Sequence, residues 1–471
     1  MRVKLIKMKK ILFTILLIVF IFNGFALIKQ NPSAKKRPNI IFIYSDDQRY
    51  DALGINDNNV IITPELDKMA QQGIRFTNAN VVFSLCSPSR AALLTGRYGS
   101  ANGVLHLDSD LNSDEKTVAQ YLKEEDYFTG ISGKWHIGRK PEKAGFDWTV
   151  YFKGNNTYYG RTIFDQGKEL KPGEHCDLYC SNRSVDFIRE AVKKDQPFFL
   201  FHNTQTPHMN GNLIWDARVE TTKKYDVSEM HVAESRLDDL VGKPEHLQTV
   251  RNRTKAKDYG YPAAEAIQQH TLEYYSVITE MDQFLGRIFH VIAELGLSKN
   301  TYIFFMGDNG WMLGEHGFTS KVLPYRPSSR VPFFVVGPGI IPSVNNQIVL
   351  NIDMAPTILE LAGIAEQPNI HGKSIVPIFR GDLENWRKSF VYEGLGTYGG
   401  AKPNLTVIDK NYRYIVTYED EKLDEIIFRE LYDQKNDPEE MNNLVNEVTG
   451  QKIIDKMHQT INKHRKEILN L

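Results

Sequence analysis

Five short blocks of this 471-residue chain collect side chains that could do chemistry together. They are Ser45-Asp46-Asp47, Cys86-Ser87-Pro88-Ser89-Arg90, Gly133-Lys134-Trp135-His136, Thr206-Pro207-His208 and Gly307-Asp308-Asn309-Gly310, with Lys321 as a further cation downstream. Adjacent carboxylates such as Asp46 and Asp47 repel unless a cation sits between them, and Asp308 with Asn309 offers two more oxygen ligands. Cys86 sits at a loop-to-helix transition. Ser87 reads as the N-cap, Pro88 as a first-turn residue and Gly96 as the stop. A group just before a helix N-terminus meets free N–H groups and the helix dipole, which favour a polarised or anionic species. Arg90, one turn on, can point back at the same spot. Lys134 and His136 share one side of an extended segment. His208 is the better candidate for proton chemistry, and His202 reads as structural.

Each block must be held by an element, and the hydrophobic pattern supplies one. Apolar runs at Asn39–Tyr44, Phe128–Ser132, Phe198–Phe201 and Tyr302–Met306 read as buried strands, and each ends at a block. Chemistry at the carboxyl ends of buried strands is the arrangement of an open α/β sheet. Helices are predicted from Pro64 to Gly73, Thr117 to Lys123, over 183–193, and from Ala263 to Leu297, with a strand from Val331 to Val336 and a helix starting at Asp353. Residues 142–180 are loop-rich; Cys176 and Cys180 there could pair in an oxidising compartment. Residues 209–262, with His231, Arg236 and His246, read as an insertion over the pocket that carries specificity. Tyr158, Tyr159, Trp215 and Tyr261 are candidates for stacking on sugars. After about residue 385, alternating runs predict antiparallel strands, followed by a final helix over 449–468.

Composition bounds the remainder. With 41% hydrophobic and 24% charged residues the chain has a globular composition, long enough for more than one layer. A net charge of -1 gives no field that would steer it to nucleic acid. Met1–Lys10 holds five basic residues and no acid, Ile11–Phe22 is apolar apart from Thr14, and Gly24-Phe25-Ala26 offers a cleavage site. This is the pattern of a secretory signal peptide. Cleavage after Ala26 would leave 52 of the 57 basic residues against 58 acids, a mature charge of -6. A polyanionic substrate therefore needs a local cationic pocket.

The run Cys86-Ser-Pro-Ser-Arg-Ala-Ala-Leu-Leu-Thr-Gly-Arg97 resembles the activation motif of the type I sulfatases, in the alkaline phosphatase superfamily. Gly-Lys134-Trp-His136 resembles their second signature. The resemblance spans residues 38 to about 445. It implies an α/β fold with a large mixed, mostly parallel sheet flanked by helices, and a smaller C-terminal α+β subdomain with a short antiparallel sheet. The implied division is a signal peptide (1–26), a linker (27–38), a catalytic domain (39–384) and a C-terminal subdomain (385–471). It further implies that Cys86 is converted after synthesis to formylglycine by a maturating enzyme. Asp46, Asp47, Asp308 and Asn309, with residue 86, would hold one divalent cation; four hard oxygen donors favour Ca²⁺ or Mg²⁺ over zinc, and the resemblance puts Ca²⁺ first.

In the mechanism so implied, the hydrated aldehyde attacks sulfur and Arg90 steadies the developing charge. Lys134 and Lys321 grip the sulfate oxygens, His208 protonates the leaving alcohol, and His136 takes the proton that lets sulfate depart. Phe318-Thr319-Ser320-Lys321 departs from the family pattern, which has an aromatic residue before the distal lysine. The expected activity is hydrolysis of sulfate esters of a polysaccharide or its oligosaccharides, ulvan-type first and glycosaminoglycan second. The expected location is periplasmic or secreted, without stable membrane association after cleavage. A formylglycine-dependent phosphodiesterase or phosphonate hydrolase, and a non-catalytic carbohydrate-binding protein, are the alternatives.

Overall fold

The computed structural model describes residues 36–107, 109–447 and 450–471. The predicted signal peptide and nearly all of the linker lie outside the described residues. Among the described residues no helix is long and apolar enough to cross a membrane. Pro38–Leu471 form one compact unit.

Its frame is a ten-stranded sheet. In chain order the strands are β1 (Asn39–Asp46), β2 (Ile74–Phe76), β3 (Phe128–Trp135), β4 (Trp148–Lys153), β5 (Ile163–Asp165), β6 (Lys168–Leu170), β7 (Phe198–Pro207), β8 (Thr301–Gly307), β9 (Phe333–Val336) and β10 (Ser343–Asn345). Their spatial order is β10-β2-β9-β8-β1-β7-β3-β4-β5-β6. The five central strands, β8 to β4, run parallel; β9 and the outer hairpin strands bring the antiparallel pairs. This is the mixed, mostly parallel α/β sheet expected.

β1 explains why the sheet is buried on both faces. All eight of its residues are buried. Ile40, Phe42 and Tyr44 pack on one side with Phe201, Phe304 and Leu93, and Ile41 and Ile43 on the other with Met281, Leu285 and Ile288. Each such side chain contributes about 1.5–3 kcal/mol when taken out of water. A near-continuous apolar run, rather than an alternating one, is what a two-faced parallel strand requires. The helix on the second face, Ala264–Glu294, follows the predicted apolar stripe.

A second, four-stranded antiparallel sheet occupies the C-terminal part: Ser389–Gly394, Asn404–Asp409, Tyr412–Tyr418 and Ile426–Asp433, in that order. The helix Gln451–His464 packs Ile454, Met457 and Ile461 against it.

Four local expectations are corrected. The active-site helix runs Cys86–Thr95 with Leu85 at its N-cap position, so Ser87 is its second residue and does not cap it; Gly96 does end it in the left-handed conformation. The helix expected over 183–193 begins seven residues earlier and spans Cys176–Lys194. Cys176 and Cys180 are consequently one turn apart on a single helix, where both are buried free thiols rather than a disulfide. Finally, Tyr158, Trp215 and Tyr261 are core residues, and of the four proposed stacking aromatics only Tyr159 is exposed.

Candidate active site

The predicted blocks converge at the carboxyl ends of the parallel strands. Asp46 is the last residue of β1 and Lys134 lies near the end of β3; His208 follows β7 directly and Asp308 follows β8. Register brings them together: Ser45 pairs with Gly307 across β1–β8, and Asp46 pairs with Pro207 across β1–β7. Gly133 is required for the third arm. Its φ is +111°, and a Cβ there would stand 1.7 Å from the Asn203 carbonyl oxygen. Only glycine lets β3 come this close to β7 before delivering Lys134.

Cys86 begins its helix and is buried beneath these strand ends. Its Sγ lies 3.3 Å from Asp46 Oδ1 and 2.7 Å from Lys321 Nζ. Lys134 is paired with Asp46, and Lys321 with Asp47. Arg90 donates from Nη2 to Asp308 Oδ2 at 2.8 Å and stands 3.9 Å from Asp46 Oδ1. Asn309 Nδ2 donates to Asp47 Oδ1 at 2.6 Å, and the Asp47 amide donates to Asp308 Oδ1 at 3.0 Å. The backbone is held in unusual shapes here. Asp47 has φ 62°, and Ser320 and Val322, on either side of Lys321, have φ 72° and 81°. A β-branched residue at such a φ is costly and persists only where its surroundings over-determine it.

His208 Nδ1 is 2.7 Å from the Met209 carbonyl oxygen, so that nitrogen carries a proton. Its Nε2 then accepts from Asn155 Nδ2 at 2.8 Å and lies 3.5 Å from Asp47 Oδ2. His136 lines the cavity above Cys86, as His208 does, and is almost fully buried. His202 lies elsewhere, buried in β7 with Nδ1 on Ser184 Oγ at 2.9 Å.

The charges perturb one another. Burial, then the Asp46 carboxylate, push the Cys86 thiol up to about 12, so as a cysteine this residue is a protonated thiol and no ready thiolate nucleophile. Against the upward push of burial, Lys134, His208, Lys321 and Arg90 hold Asp46 well below the carboxylate range. Burial and Asp46 raise Asp308 to about 7. Burial, reinforced by Lys134, lowers His136 to about 2, and burial lowers His208 also. His136 is therefore neutral at pH 7.

The donor set fits a hard divalent cation. Asp46, Asp47, Asp308 and Asn309 are all fully buried, and Asp47 Oδ2 and Asn309 Oδ1 have no hydrogen-bond partner among the described residues. Ligand atoms of Asp46, Asp47 and Cys86 lie within 4.8 Å of one another. Buried oxygens without donors are an unpaid desolvation cost that a cation would offset.

The cavity above Cys86 has a volume of about 190 Å³, and its lining includes residues that the sequence did not single out: Asn155, Arg251, Lys255, Tyr259, Trp311 and Tyr398. The insertion does border it, but through Met209, Leu213 and the helix Arg251–Asp258 rather than through His231, Arg236 or His246. His231 lines a separate cavity of about 230 Å³ with Arg49 and Arg326.

A buried cysteine at a helix start, ringed by three carboxylates and three cations at the ends of a parallel sheet, defines a class of hydrolase. Residues 38–364 match the family model described as Sulfatase, and 314–467 match one described as N-sulphoglucosamine sulphohydrolase, C-terminal. The chain belongs to the sulfatase family and is a sulfuric ester hydrolase. Among its relatives is N-acetylglucosamine-6-O-sulfatase of Bacteroides thetaiotaomicron, 28% identical over 92% of this chain and 87% of that protein. Another is an ulvan-active sulfatase of Formosa agariphila, 27% identical over 92% and 82%. A solved structure in complex with its substrate D-glucosamine-2-N,6-O-disulfate matches with TM-score 0.84 at 25% identity, covering 92% of this chain and 99% of that one. A phosphonate monoester hydrolase from Silicibacter pomeroyi shares the fold, with TM-score 0.74 at 20% identity over 92% and 96%.

Proposed function

We propose that this chain is an exported carbohydrate sulfatase that removes sulfate from a glycosaminoglycan-type amino sugar, using formylglycine made from Cys86 and one bound Ca²⁺. The observation that carries the reading is the charge balance around Cys86. Asp46, Asp47 and Asp308 face Arg90, Lys134 and Lys321, all buried. With the carboxylates ionised these cancel, so a divalent cation would leave the pocket with two positive charges, a cationic site for the singly charged sulfate ester and for the sulfate dianion it releases. Formylglycine, when present, supplies the oxygen nucleophile that a thiol of raised pKa does not. Asp46, Asp47, Asp308 and Asn309 hold the cation, which supplies Lewis-acid polarisation.

The other roles belong to this chain's own side chains. Lys134 and Lys321 bind the sulfuryl oxygens, because their ammonium groups already meet at the two carboxylates beside Cys86. Arg90 retains two donor nitrogens, Nε and Nη1, without partners among the described residues, and orients the reacting group. His208 holds its Nδ1 proton on Met209 and presents Nε2, where a second proton can be held for the leaving alcohol. His136, neutral, buried and lining the same cavity, serves as proton acceptor.

The substrate assignment follows the relatives, which act on a 6-sulfated N-acetylglucosamine and hold a sulfated glucosamine. They favour this class over the ulvan-type polysaccharide that was the first expectation, although an ulvan-active sulfatase is also a relative. The residue 1–26 pattern supports export to the periplasm or beyond. The test is turnover by enzyme produced with a maturating enzyme and supplied with calcium. N-acetylglucosamine 6-sulfate should be desulfated far faster than an aryl phosphonate is hydrolysed. Preference for the phosphonate would overturn the reading, and ulvan oligosaccharide as the better sulfate ester would overturn the substrate class.

A further inference from the structure

The cavity above Cys86 has a second cationic locus that no step of the reaction uses. Arg251 and Lys255 lie one turn apart on the helix Arg251–Asp258, and both line the cavity. Residues four apart on a helix project to the same side, so the two cations act on one region of space. Arg251 has no ion pair among the described residues. Its guanidinium stands 6.0 Å from the centroid of the Tyr398 ring, which also lines the cavity. Lys255 has one acidic partner, Asp258 at 3.0 Å, whose side chain is 61% exposed and so weakly held in water. Tyr259, whose phenol both cations pull down against the upward push of burial, lines the same cavity.

The helix is also fastened to the catalytic loop. Asn252, between the two cations' turns, is buried, and its Nδ2 donates to the carbonyl oxygens of Thr319 at 2.7 Å and Lys321 at 2.8 Å. The backbone that presents Lys321 to Cys86 thus also fixes where Arg251 and Lys255 stand. The neighbouring Arg253 is spent on structure, donating to the carbonyls of His316 and Asp238. Arg251 and Lys255 are therefore the basic residues of this helix that face the cavity.

We infer that Arg251 and Lys255 form a subsite for a second anionic group of the substrate, an oxyanion carried beside the scissile sulfate ester. This rests on the sulfatase reading above. Two sources share that chemistry: a second sulfate on the same amino sugar, or the carboxylate of an adjoining uronic acid. A neutral partner sugar would leave Arg251 without a counter-charge and Lys255 with only the exposed Asp258.

The experiment measures binding by titration calorimetry to the calcium-loaded Cys86→Ala protein, which cannot turn over. Three ligands are compared: N-acetylglucosamine 6-sulfate, glucosamine 2-N,6-O-disulfate, and a uronic acid–N-acetylglucosamine 6-sulfate disaccharide. At least one doubly anionic ligand should bind about tenfold tighter than the first. That ratio should fall below about twofold when Arg251→Ala and Lys255→Ala are added, survive Arg251→Lys in large part, and shrink with salt. The disulfate arm reports a second sulfate and the disaccharide arm a carboxylate. Equal binding of all three ligands, or a ratio that the alanine variants leave unchanged, would overturn the inference while leaving the sulfatase reading intact. If no sulfated ligand binds, and the matured enzyme cleaves none, both fall together.

Discussion

Lys321→Ala separates two jobs that one side chain performs. Lys321 is buried, ion-paired to Asp47, and 2.7 Å from Cys86 Sγ. Its ammonium can therefore reach a sulfuryl oxygen carried at position 86. Loss of one such pre-aimed donor should lower kcat by about 10²–10³-fold, or about 3–4 kcal/mol of transition-state stabilisation. The second effect is on folding. Removing one partner of a buried ion pair costs about 3–5 kcal/mol. That figure is an upper bound here, because Asn309 Nδ2 still donates to Asp47 at 2.6 Å. A divalent cation gives Asp47 a new counter-charge, so calcium should recover most of the stability and none of the turnover. The assay is steady-state hydrolysis of N-acetylglucosamine 6-sulfate beside thermal melts in chelator and in calcium. A kcat within threefold of wild type would refute the transition-state role. An equal melting deficit with and without calcium would refute the shared-site electrostatics.

Two further perturbations probe the frame. Gly133→Ala places a methyl group against the Asn203 carbonyl oxygen in a backbone shape that alanine avoids. It should cost about 3 kcal/mol or more in denaturant unfolding, and stability equal to wild type would show that β3 can retreat from β7 freely. His202 is buried beside Ser184, and burial lowers its pKa from 6.5 to about 4. A depressed histidine contributes stability in full above pH 6.5 that is lost as pH falls through about 4, worth at most about 3 kcal/mol. His202→Gln should therefore flatten the acid limb of a stability-against-pH curve in that window, and an unchanged slope would contradict the assignment.

The sheet was readable because chemistry and hydrophobicity coincide in the sequence. Ile40–Tyr44, Phe198–Phe201 and Ile303–Met306 are apolar on both faces, and each runs straight into the polar block it presents. Strand ends were less legible: β1 extends through Asp46 and β3 through Trp135, because these polar and charged residues are paired inside the protein and remain in the ladder. The start of the helix at Cys176 was hidden by its cap. His175 accepts from the Asp177 amide through its side chain, a role usually signalled by Ser, Thr, Asp or Asn. The second cationic locus had no local signature either. Arg251 and Lys255 lie on a short polar helix that resembles any solvated surface helix, and the long-range bonds of Asn252 to the Lys321 loop, with those of Arg253 to His316 and Asp238, hold it at the site. Aromatic residues misled for the related reason that burial is a tertiary property. Tyr158 donates to the His208 carbonyl and Trp215 Nε1 to that of Pro207, so both brace the backbone at His208 from the core.

Cys86, on the proposed function, is a precursor and not the working nucleophile. The direct measurement is the intact mass of the peptide spanning Cys86, from protein made with and without a formylglycine-generating enzyme. With the enzyme the peptide should lose sulfur and gain an aldehyde oxygen and react with a carbonyl-specific hydrazide, and sulfatase activity should track the converted fraction. A peptide that keeps its thiol in the competent host, or activity equal in converted and unconverted protein, would contradict it.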